Sequence, residues 1–198
     1  MTPDSPAHVP RGARHVVLVG MMGTGKSSVG RRLAVDGVRF VDTDTLVEER
    51  AGRSVRDIFG TDGEPAFRVM EEEAVAGCLA EADRSVIATG GGAVESEATR
   101  GLLNRARADG AAYVVWLRAQ PGELASRVGR SPNRPLLEGD AEGRLRELGR
   151  LREGHYAAVA DLVLDTDGMS VQQVAERVRA AIGGAGQDGR DGRAGPHG

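Results

Sequence analysis

The sequence predicts an α/β domain in which helices cover both faces of a parallel β-sheet. Five short apolar runs alternate with segments whose apolar residues have helical spacing, a pattern typical of successive βαβ units. A glycine-rich loop, Gly20–Ser27, also lies between the first predicted strand and the first predicted helix. Domains of this class bind phosphate groups at that position.

The predicted strands and helices follow one another in a regular order. Strands are expected at His15–Gly20, Val38–Val41, Ser85–Ala88, Ala112–Leu117 and Asp161–Asp165. Helices are expected at Ser27–Val35, Pro65–Ala82, Glu95–Ala108, Leu145–Val159 and Val171–Ile182, and a further helix begins at Glu123–Val128. Short apolar runs without polar alternation are typical of strands buried on both faces of a sheet.

Composition and charge narrow the class of protein. A chain of 198 residues can form one domain with its own core. The net charge of -3 without a run of basic residues argues against nucleic-acid binding, and no apolar stretch has the length of a membrane span. The N-terminus lacks the apolar core of a signal peptide, and Cys78 is the single cysteine. We therefore expect a cytoplasmic enzyme without an internal disulfide.

Three segments have the composition of irregular structure. Residues 1–13 are polar and rich in Pro and Gly, and residues 183–198 are rich in Gly with mixed charge, which predicts disordered tails around a domain of residues 14–182. The segment of about 127–140 is rich in Gly, Pro, Asn and Arg. Such a segment inside an α/β domain is often a mobile lid.

The loop Gly20–Ser27 matches the pattern G-x-x-x-x-G-K-[ST] in the expected strand–loop–helix context, which argues against a chance turn. Its backbone N–H groups are expected to surround a phosphate, with Lys26 reaching the β- and γ-phosphates and the Ser27 hydroxyl binding Mg²⁺. Lys26 is the one lysine among 26 Lys and Arg residues. The residues expected to bind ATP here are Gly23, Thr24, Gly25, Lys26, Ser27 and Ser28.

Two carboxylates, Asp42 and Asp44, follow the second predicted strand. Ligands of α/β sheets bind beyond the carboxyl ends of the strands, and residues two apart in a strand share one side. One acid can therefore hold Mg²⁺ through water while the other meets the hydroxyl of an acceptor. A solvated turn, in which Asp44 or Thr45 caps a helix, is the alternative.

Glycines follow the third predicted strand at Gly90, Gly91 and Gly92. Without side chains, their backbone N–H groups are open to a ligand. A flexible turn between strand and helix explains the same three residues.

Arg68, Arg134 and Arg152 are candidates for binding a carboxylate or phosphate, because the guanidinium group binds such anions through paired hydrogen bonds. Most arginines of this chain must nevertheless lie on its surface. We expect Glu71–Glu73 to form a solvated helix face, whereas Cys78 and Trp116 are expected in the core.

The chain resembles the shikimate kinase family from about Val16 to about Ile182. The resemblance rests on ordered blocks, which are GMMGTGKSSVGRRLA, FVDTD, GRSVRDIFGTDGEPAFRVME, ATGGGAV, NRPLLEGD and ADLVLDT. It implies a P-loop NTPase-type sheet of five parallel strands in the order 2-3-1-4-5, a lid, and an acceptor-binding subdomain at about 42–72. The implied activity is ATP-dependent phosphorylation of shikimate to shikimate 3-phosphate in chorismate and aromatic amino-acid biosynthesis.

The resemblance also implies roles for individual residues near the nucleotide. Asp42 matches an acid that helps to hold Mg²⁺, the one cofactor expected. Asp44 matches the acid that contacts the acceptor hydroxyls and can act as a base. Arg134, in the lid, matches an arginine that stabilises the transferring phosphoryl group, and Arg127 matches one that stacks on adenine.

For the acceptor, the resemblance assigns Arg68 and Arg152 to the shikimate carboxylate and Gly90–Gly92 to the region beside the ring. Lys26, Asp44 and Arg134 are the expected catalytic residues. ATP and shikimate are the expected partners, and a monomer is expected.

Two departures from the family pattern stand out. Family members usually have a proline two residues after the arginine that matches Arg152, and this chain has Gly154. The segment 35–40 is also about one residue short. Neither change removes a group that phosphoryl transfer needs.

Three other functions remain open from the sequence. A shikimate-kinase-like paralog that acts on another small anionic polyol or cyclitol is kept open by the two departures. A kinase for gluconate or a nucleoside monophosphate would share the P-loop and lid. A non-catalytic nucleotide-binding protein would be expected to have lost Lys26, Asp42 or Asp44, and all three are present.

Overall fold

The structure, a computed structural model, describes residues 13–35, 37–128 and 140–183. Five parallel strands form one sheet in the order β2-β3-β1-β4-β5, which confirms the predicted architecture. The strands are β1 (His15–Val19), β2 (Arg39–Asp42), β3 (Ser85–Ala88), β4 (Ala112–Arg118) and β5 (Leu162–Asp165).

The helices of the described segments include all six that the sequence predicts. They are α1 (Lys26–Leu33), α2 (Thr43–Ala51), α3 (Val55–Thr61), α4 (Gly63–Ala80), α5 (Glu97–Ala108), α6 (Pro121–Val128), α7 (Ala141–Val159) and α8 (Val171–Gly183). The sequence did not predict α2 and α3. They have 9 and 7 residues, too few for a clear helical repeat.

The helix predicted from Glu95 begins two residues later. Residues Ala93–Glu95 form a 3₁₀ helix, and α5 follows it. The reason is the cap, because the Ser96 hydroxyl accepts a hydrogen bond from the Thr99 backbone N–H at 3.2 Å. A serine cap of this kind sets where an α-helix starts.

Helices cover both faces of the sheet. Successive side chains of a strand point to opposite faces, so neighbouring residues of one strand pack against different helices. Val17 and Val19 of β1 pack with residues of α4, α5, α6 and α7, whereas Leu18 packs with residues of α1 and α8. A third cluster joins α2, α3 and α4 through Val47, Ile58, Phe67 and Ala74. Cys78 and Trp116 are buried, as predicted.

The loops that follow β1, β2 and β3 meet at one edge of the sheet. Leu18 of β1 and Asp42 of β2 both pair with Ala88 of β3, so the three strands end at the same level. The Thr89 backbone N–H also donates to the Leu18 carbonyl at 3.1 Å. Side chains from distant parts of the sequence are therefore brought together at the edge where such sheets bind ligands.

The described chain begins with Ala13, which is buried, and ends with Gly183. The rest of both predicted tails, and residues 129–139 of the predicted lid, lie outside the described residues. No helix in the described segments has the length and hydrophobicity that crossing a membrane requires.

Gly20 directly follows the central strand β1 and has a φ of 141°, and a Cβ there would overlap the Leu117 carbonyl oxygen. Because the obstacle is backbone of the neighbouring strand, it cannot rotate away. We expect Gly20→Ala to lower the free energy of unfolding by about 2–4 kcal/mol, as measured by urea denaturation.

The control is Gly149→Ala in α7, where an added Cβ meets nothing within 4 Å. This change should leave stability unaltered or raise it by up to about 1 kcal/mol. Equal losses in the two variants would contradict the steric explanation.

Candidate active site

The loop between β1 and α1 surrounds the ammonium group of Lys26. Its Nζ donates to the carbonyl oxygens of Gly20 at 2.7 Å and Met21 at 3.0 Å. The Thr24 hydroxyl donates to the same Met21 carbonyl at 2.8 Å, which closes the loop. Lys26 and Thr24 are buried, so the positive charge is held inside the loop rather than in solvent.

Helix α1 directs its N-terminal end into this loop. Gly23 and Gly25 have φ of 84° and 90°, a left-handed conformation that glycine adopts without steric cost. The first turn of α1 contains no acidic residue, so no carboxylate of that turn competes for the N–H groups at the start of the helix. Ser28, also predicted to bind ATP, lies in this turn and is exposed. The loop can therefore bind a phosphate group.

Ser27 and Asp42 face each other across the start of α1 and the end of β2. The Ser27 hydroxyl donates to Asp42 Oδ2 at 2.5 Å. A hydroxyl and a carboxylate are the oxygen donors that Mg²⁺ accepts, and a nucleotide-bound Mg²⁺ takes its other ligands from phosphates and water. This donor set fits the predicted Mg²⁺ site.

Asp44 lies in the first turn of α2, not in strand β2. The Asp42 carboxylate caps this helix by accepting a hydrogen bond from the Asp44 backbone N–H at 3.2 Å. The prediction that Asp42 and Asp44 share one side of a strand is therefore wrong. Asp44 nevertheless reaches the site, because a Cβ on Gly90 would lie 2.5 Å from its Oδ1.

The Gly90–Gly92 backbone has charged groups packed directly against it. A Cβ on Gly90 would overlap Glu71, and a Cβ on Gly92 would lie 2.6 Å from the guanidinium carbon of Arg68. The Gly90 N–H donates to the Thr43 hydroxyl at 3.1 Å. A side chain on Gly90 or Gly92 would therefore displace the Glu71, Asp44 or Arg68 side chain from its present position.

Arg68 of α4 is surrounded by carboxylates. Its Nη1 donates to Glu71 at 2.8 Å, and its Nη2 donates to Glu64 at 2.7 Å and to Glu95 Oε2 at 3.1 Å. Arg152 of α7 donates from its Nη2 to the same Glu95 oxygen at 3.0 Å. The two arginines predicted to bind one carboxylate therefore converge on one carboxylate oxygen.

Arg152 is held in place although Gly154 replaces the proline of the family pattern. Helix α7 continues through Gly154 without a break. Arg152 Nη1 and the Tyr156 hydroxyl donate to the Gly91 carbonyl at 3.4 Å and 2.5 Å. Tyr156 also stacks on Trp116, with ring centroids 5.4 Å apart. The departure therefore leaves Arg152 within the site.

Glu71 is a site residue that sequence reasoning missed. It is 1% exposed, so the expectation that it lies on a solvated helix face is wrong, although Glu73 is exposed. Burial raises the pKa of Glu71 from 4.5 to about 7, with the Asp44 charge adding to this and the Arg68 charge opposing it. Helical spacing from Phe67, on the apolar stripe of α4, is a signal that could have identified it.

Arg127, another predicted arginine, is not part of this cluster. Arg127 of α6 lies beyond the ends of β4 and β5, where its Nη2 contacts Glu123 at 2.9 Å and the Thr166 carbonyl at 3.4 Å. Arg134 lies outside the described residues. Their roles at the nucleotide stay predictions.

Comparison with known proteins agrees with this geometry. The family model described as shikimate kinase matches residues 22–183. A shikimate kinase of Moorella thermoacetica is 45% identical over 169 residues, which cover 85% of this chain and 94% of that protein. One of Symbiobacterium thermophilum is also 45% identical, over 88% of this chain and 99% of its own length.

Solved structures give the same result. A shikimate kinase from Acinetobacter baumannii, in complex with shikimate, has a TM-score of 0.81 at 31% identity and covers 89% of this chain and 97% of that one. A gluconokinase from Sinorhizobium meliloti has a TM-score of 0.56 at 19% identity, which shows a shared fold alone. With its family-model match, its relatives and its site geometry in agreement, this chain belongs to the shikimate kinase family.

Proposed function

We propose that this protein transfers the γ-phosphoryl group of ATP to the 3-hydroxyl of shikimate, forming ADP and shikimate 3-phosphate for chorismate and aromatic amino-acid biosynthesis. One observation carries the proposal. Arg68 and Arg152 converge on a single carboxylate oxygen at the sheet edge that also holds Asp44 and the phosphate loop. We therefore infer that a phosphate and a carboxylated acceptor bind side by side at this edge.

For the nucleotide, the backbone of Gly23, Thr24 and Gly25 would surround the β-phosphate, and the ammonium of Lys26 would contact the β- and γ-phosphates. The Ser27 and Ser28 positions supply N–H groups from the start of α1. Arg127, near the Thr166 carbonyl, would stack on the adenine. Arg134 would neutralise charge on the transferring phosphoryl group.

Ser27 and Asp42 are the residues that would hold Mg²⁺, Asp42 through a water molecule. When bound, the ion supplies positive charge that offsets the charge of the phosphate oxygens. Asp42 would therefore have two roles. Its Oδ2, which accepts from Ser27, faces the proposed Mg²⁺ site, and its Oδ1 caps α2 and so positions Asp44.

For the acceptor, Arg68 and Arg152 would bind the shikimate carboxylate through charge-assisted hydrogen bonds. The bare backbone of Gly90–Gly92 allows the ring to lie close to it. Anchoring the carboxylate fixes which hydroxyl faces the γ-phosphate, and Asp44 accepts the hydrogen bond from that hydroxyl. Asp44 can then take its proton as the new P–O bond forms and the bond to the ADP oxygen breaks.

Phosphoryl transfer requires positioning and charge stabilisation more than covalent chemistry by the protein. Lys26 and Arg134 would stabilise the charge on the phosphoryl oxygens, and closure of the lid over the site would exclude water as a competing acceptor. Lys26, Asp44 and Arg134 are therefore the proposed catalytic residues.

We propose a monomer as the active form. We also propose that it works in the cytoplasm, where ATP is supplied to biosynthetic kinases. The domain that performs the reaction corresponds to about residues 14–182, with the acceptor-binding subdomain at about 42–72 and the lid at about 127–140.

The function is tested by ADP release from purified protein with Mg-ATP and shikimate, beside gluconate, quinate and CMP. We expect a shikimate-dependent rate well above the rate with ATP alone, and no such stimulation by the other acceptors. Stimulation by quinate instead would favour a paralogous kinase for a related cyclitol.

Asp44→Asn should reduce turnover about 10²–10⁴-fold, because the amide cannot accept the hydroxyl proton. Since Asp44 is not a proposed nucleotide ligand, ATP affinity by calorimetry should change less than about twofold. Asp62→Asn, at an exposed position of the same subdomain, is the matched control and should retain activity. Unchanged turnover in Asp44→Asn would rule out the proposed role.

Glu71 makes stability depend on pH. Because its pKa is about 7 in the folded protein against 4.5 ordinarily, the folded state binds the proton more tightly. The resulting stabilisation is complete below pH 4.5 and is lost as pH rises through 7.

We therefore expect the difference in unfolding free energy between the wild type and Glu71→Gln to change by about 2–4 kcal/mol, to the disadvantage of the wild type, as pH rises from 4.5 to above 7. Denaturation curves at several pH values measure this difference. Glu73→Gln, at an exposed position, should show no such trend. Parallel pH profiles for wild type and Glu71→Gln would contradict the shifted pKa.

A further inference from the structure

Glu95 occupies an unusual position for an acidic side chain. It lies at the end of the 3₁₀ helix that follows Gly90–Gly92. One oxygen of its carboxylate, Oε2, accepts hydrogen bonds from Arg68 at 3.1 Å and from Arg152 at 3.0 Å. It therefore makes the contacts that the proposed function assigns to the carboxylate of the acceptor.

We propose that Glu95 is an internal carboxylate that competes with the acceptor for Arg68 and Arg152 and so sets the KM for shikimate. This inference rests on the proposed function, because it names a specificity-determining residue of the same site. Glu95 takes no part in the transfer itself.

The Glu95 side chain can leave the arginines without any change in the backbone. The Glu95 backbone N–H donates to the Gly92 carbonyl at 2.9 Å. The Arg100 guanidinium donates to the backbone carbonyl oxygens of Val94 at 2.7 Å and Glu95 at 2.9 Å. These hydrogen bonds hold the backbone independently of the Glu95 carboxylate. The side chain itself is 34% exposed, against 8% for Arg152. Rotation about its side-chain bonds would therefore move the carboxylate into water.

Glu71 differs from Glu95 in this respect. It contacts the other nitrogen of Arg68 at 2.8 Å with a side chain only 2% exposed, so it is a fixed partner. Glu95 is the partner that both arginines share and that solvent already reaches. Of these two carboxylates, Glu95 is the one that an incoming acceptor can displace.

The local charge balance gives the reason for displacement. Arg68 already contacts the carboxylates of Glu64, Glu71 and Glu95. A further carboxylate bound beside all three would be repelled. Departure of Glu95 removes one negative charge and frees an N–H group on each arginine.

A purely structural role for Glu95 predicts the opposite effect on binding. If Glu95 only held the two guanidinium groups in position, its loss would let them move apart and would raise the KM for shikimate. The sign of the change in KM therefore separates competition from positioning.

The test is Glu95→Gln, which preserves size and an acceptor oxygen but removes the charge. We expect the KM for shikimate to fall about two- to fivefold, the change that partly exposed ion pairs of this kind produce. The KM for ATP and kcat should change less than about twofold. A thermal midpoint near that of the wild type checks folding.

Glu64→Gln is the matched control, because Glu64 contacts Arg68 with a side chain 56% exposed and is not shared with Arg152. It should change the KM for shikimate by less than about twofold. An unchanged or raised KM for shikimate in Glu95→Gln would overturn the proposal.

A second measurement separates this inference from the proposed function. Calorimetric binding of cyclohexanecarboxylate, compared with cyclohexanecarboxamide, needs no turnover. Glu95→Gln should bind the carboxylate more tightly than the wild type does, with no difference for the amide. If the wild type shows no shikimate-dependent ADP release, the proposed function fails. Separately, equal binding of cyclohexanecarboxylate by the wild type and Glu95→Gln would refute the role of Glu95.

Discussion

The close approach of three helices to the backbone of Gly90–Gly92 is the constraint on which the rest of the site depends. Asp44 from α2, the Arg68 and Glu71 pair from α4, and Arg152 from α7 all lie against these residues. A side chain on Gly90 or Gly92 would overlap a charged group. The glycines therefore allow one short segment to gather an acid, two cations and their counter-charges beside the phosphate loop.

This crowding has an electrostatic consequence. Burial disfavours the charged form of a carboxyl group, and it raises the pKa of Glu71 to about 7. Arg152 is almost fully buried and shares Glu95 with Arg68. Two carboxylates of the cluster therefore differ. The first, Glu71, is buried against Arg68, and the second, Glu95, is partly exposed to solvent. We infer that the first maintains the arrangement of Arg68, while the second can give way to the carboxylate of an acceptor.

The fold by itself would not identify the acceptor. A gluconokinase has the same architecture at 19% identity, and function resides in particular sites rather than in folds. In this chain, a pair of arginines converges on one carboxylate from α4 and α7. Arg152 reaches its place although Gly154 replaces a family proline, because Tyr156 and the Gly91 carbonyl also tie α7 to the sheet edge.

The sequence alone determined the five strands, six of the helices and the phosphate loop around Lys26, because these depend on local pattern and motif. The resemblance to a known family also pointed to Asp42, Asp44, Arg68 and Arg152, whereas Glu71 and Glu95 were missed. Only the tertiary structure decided that Asp42 caps a helix containing Asp44, that Glu71 is buried and that Glu95 joins Arg68 to Arg152. The burial of Glu71 and the link through Glu95 depend on neighbours supplied by distant segments, whereas the Asp42 cap is a local contact within two residues. Local spacing assigns Glu71 and Glu73 to the same helix, but packing against Gly90 buries one and leaves the other in solvent.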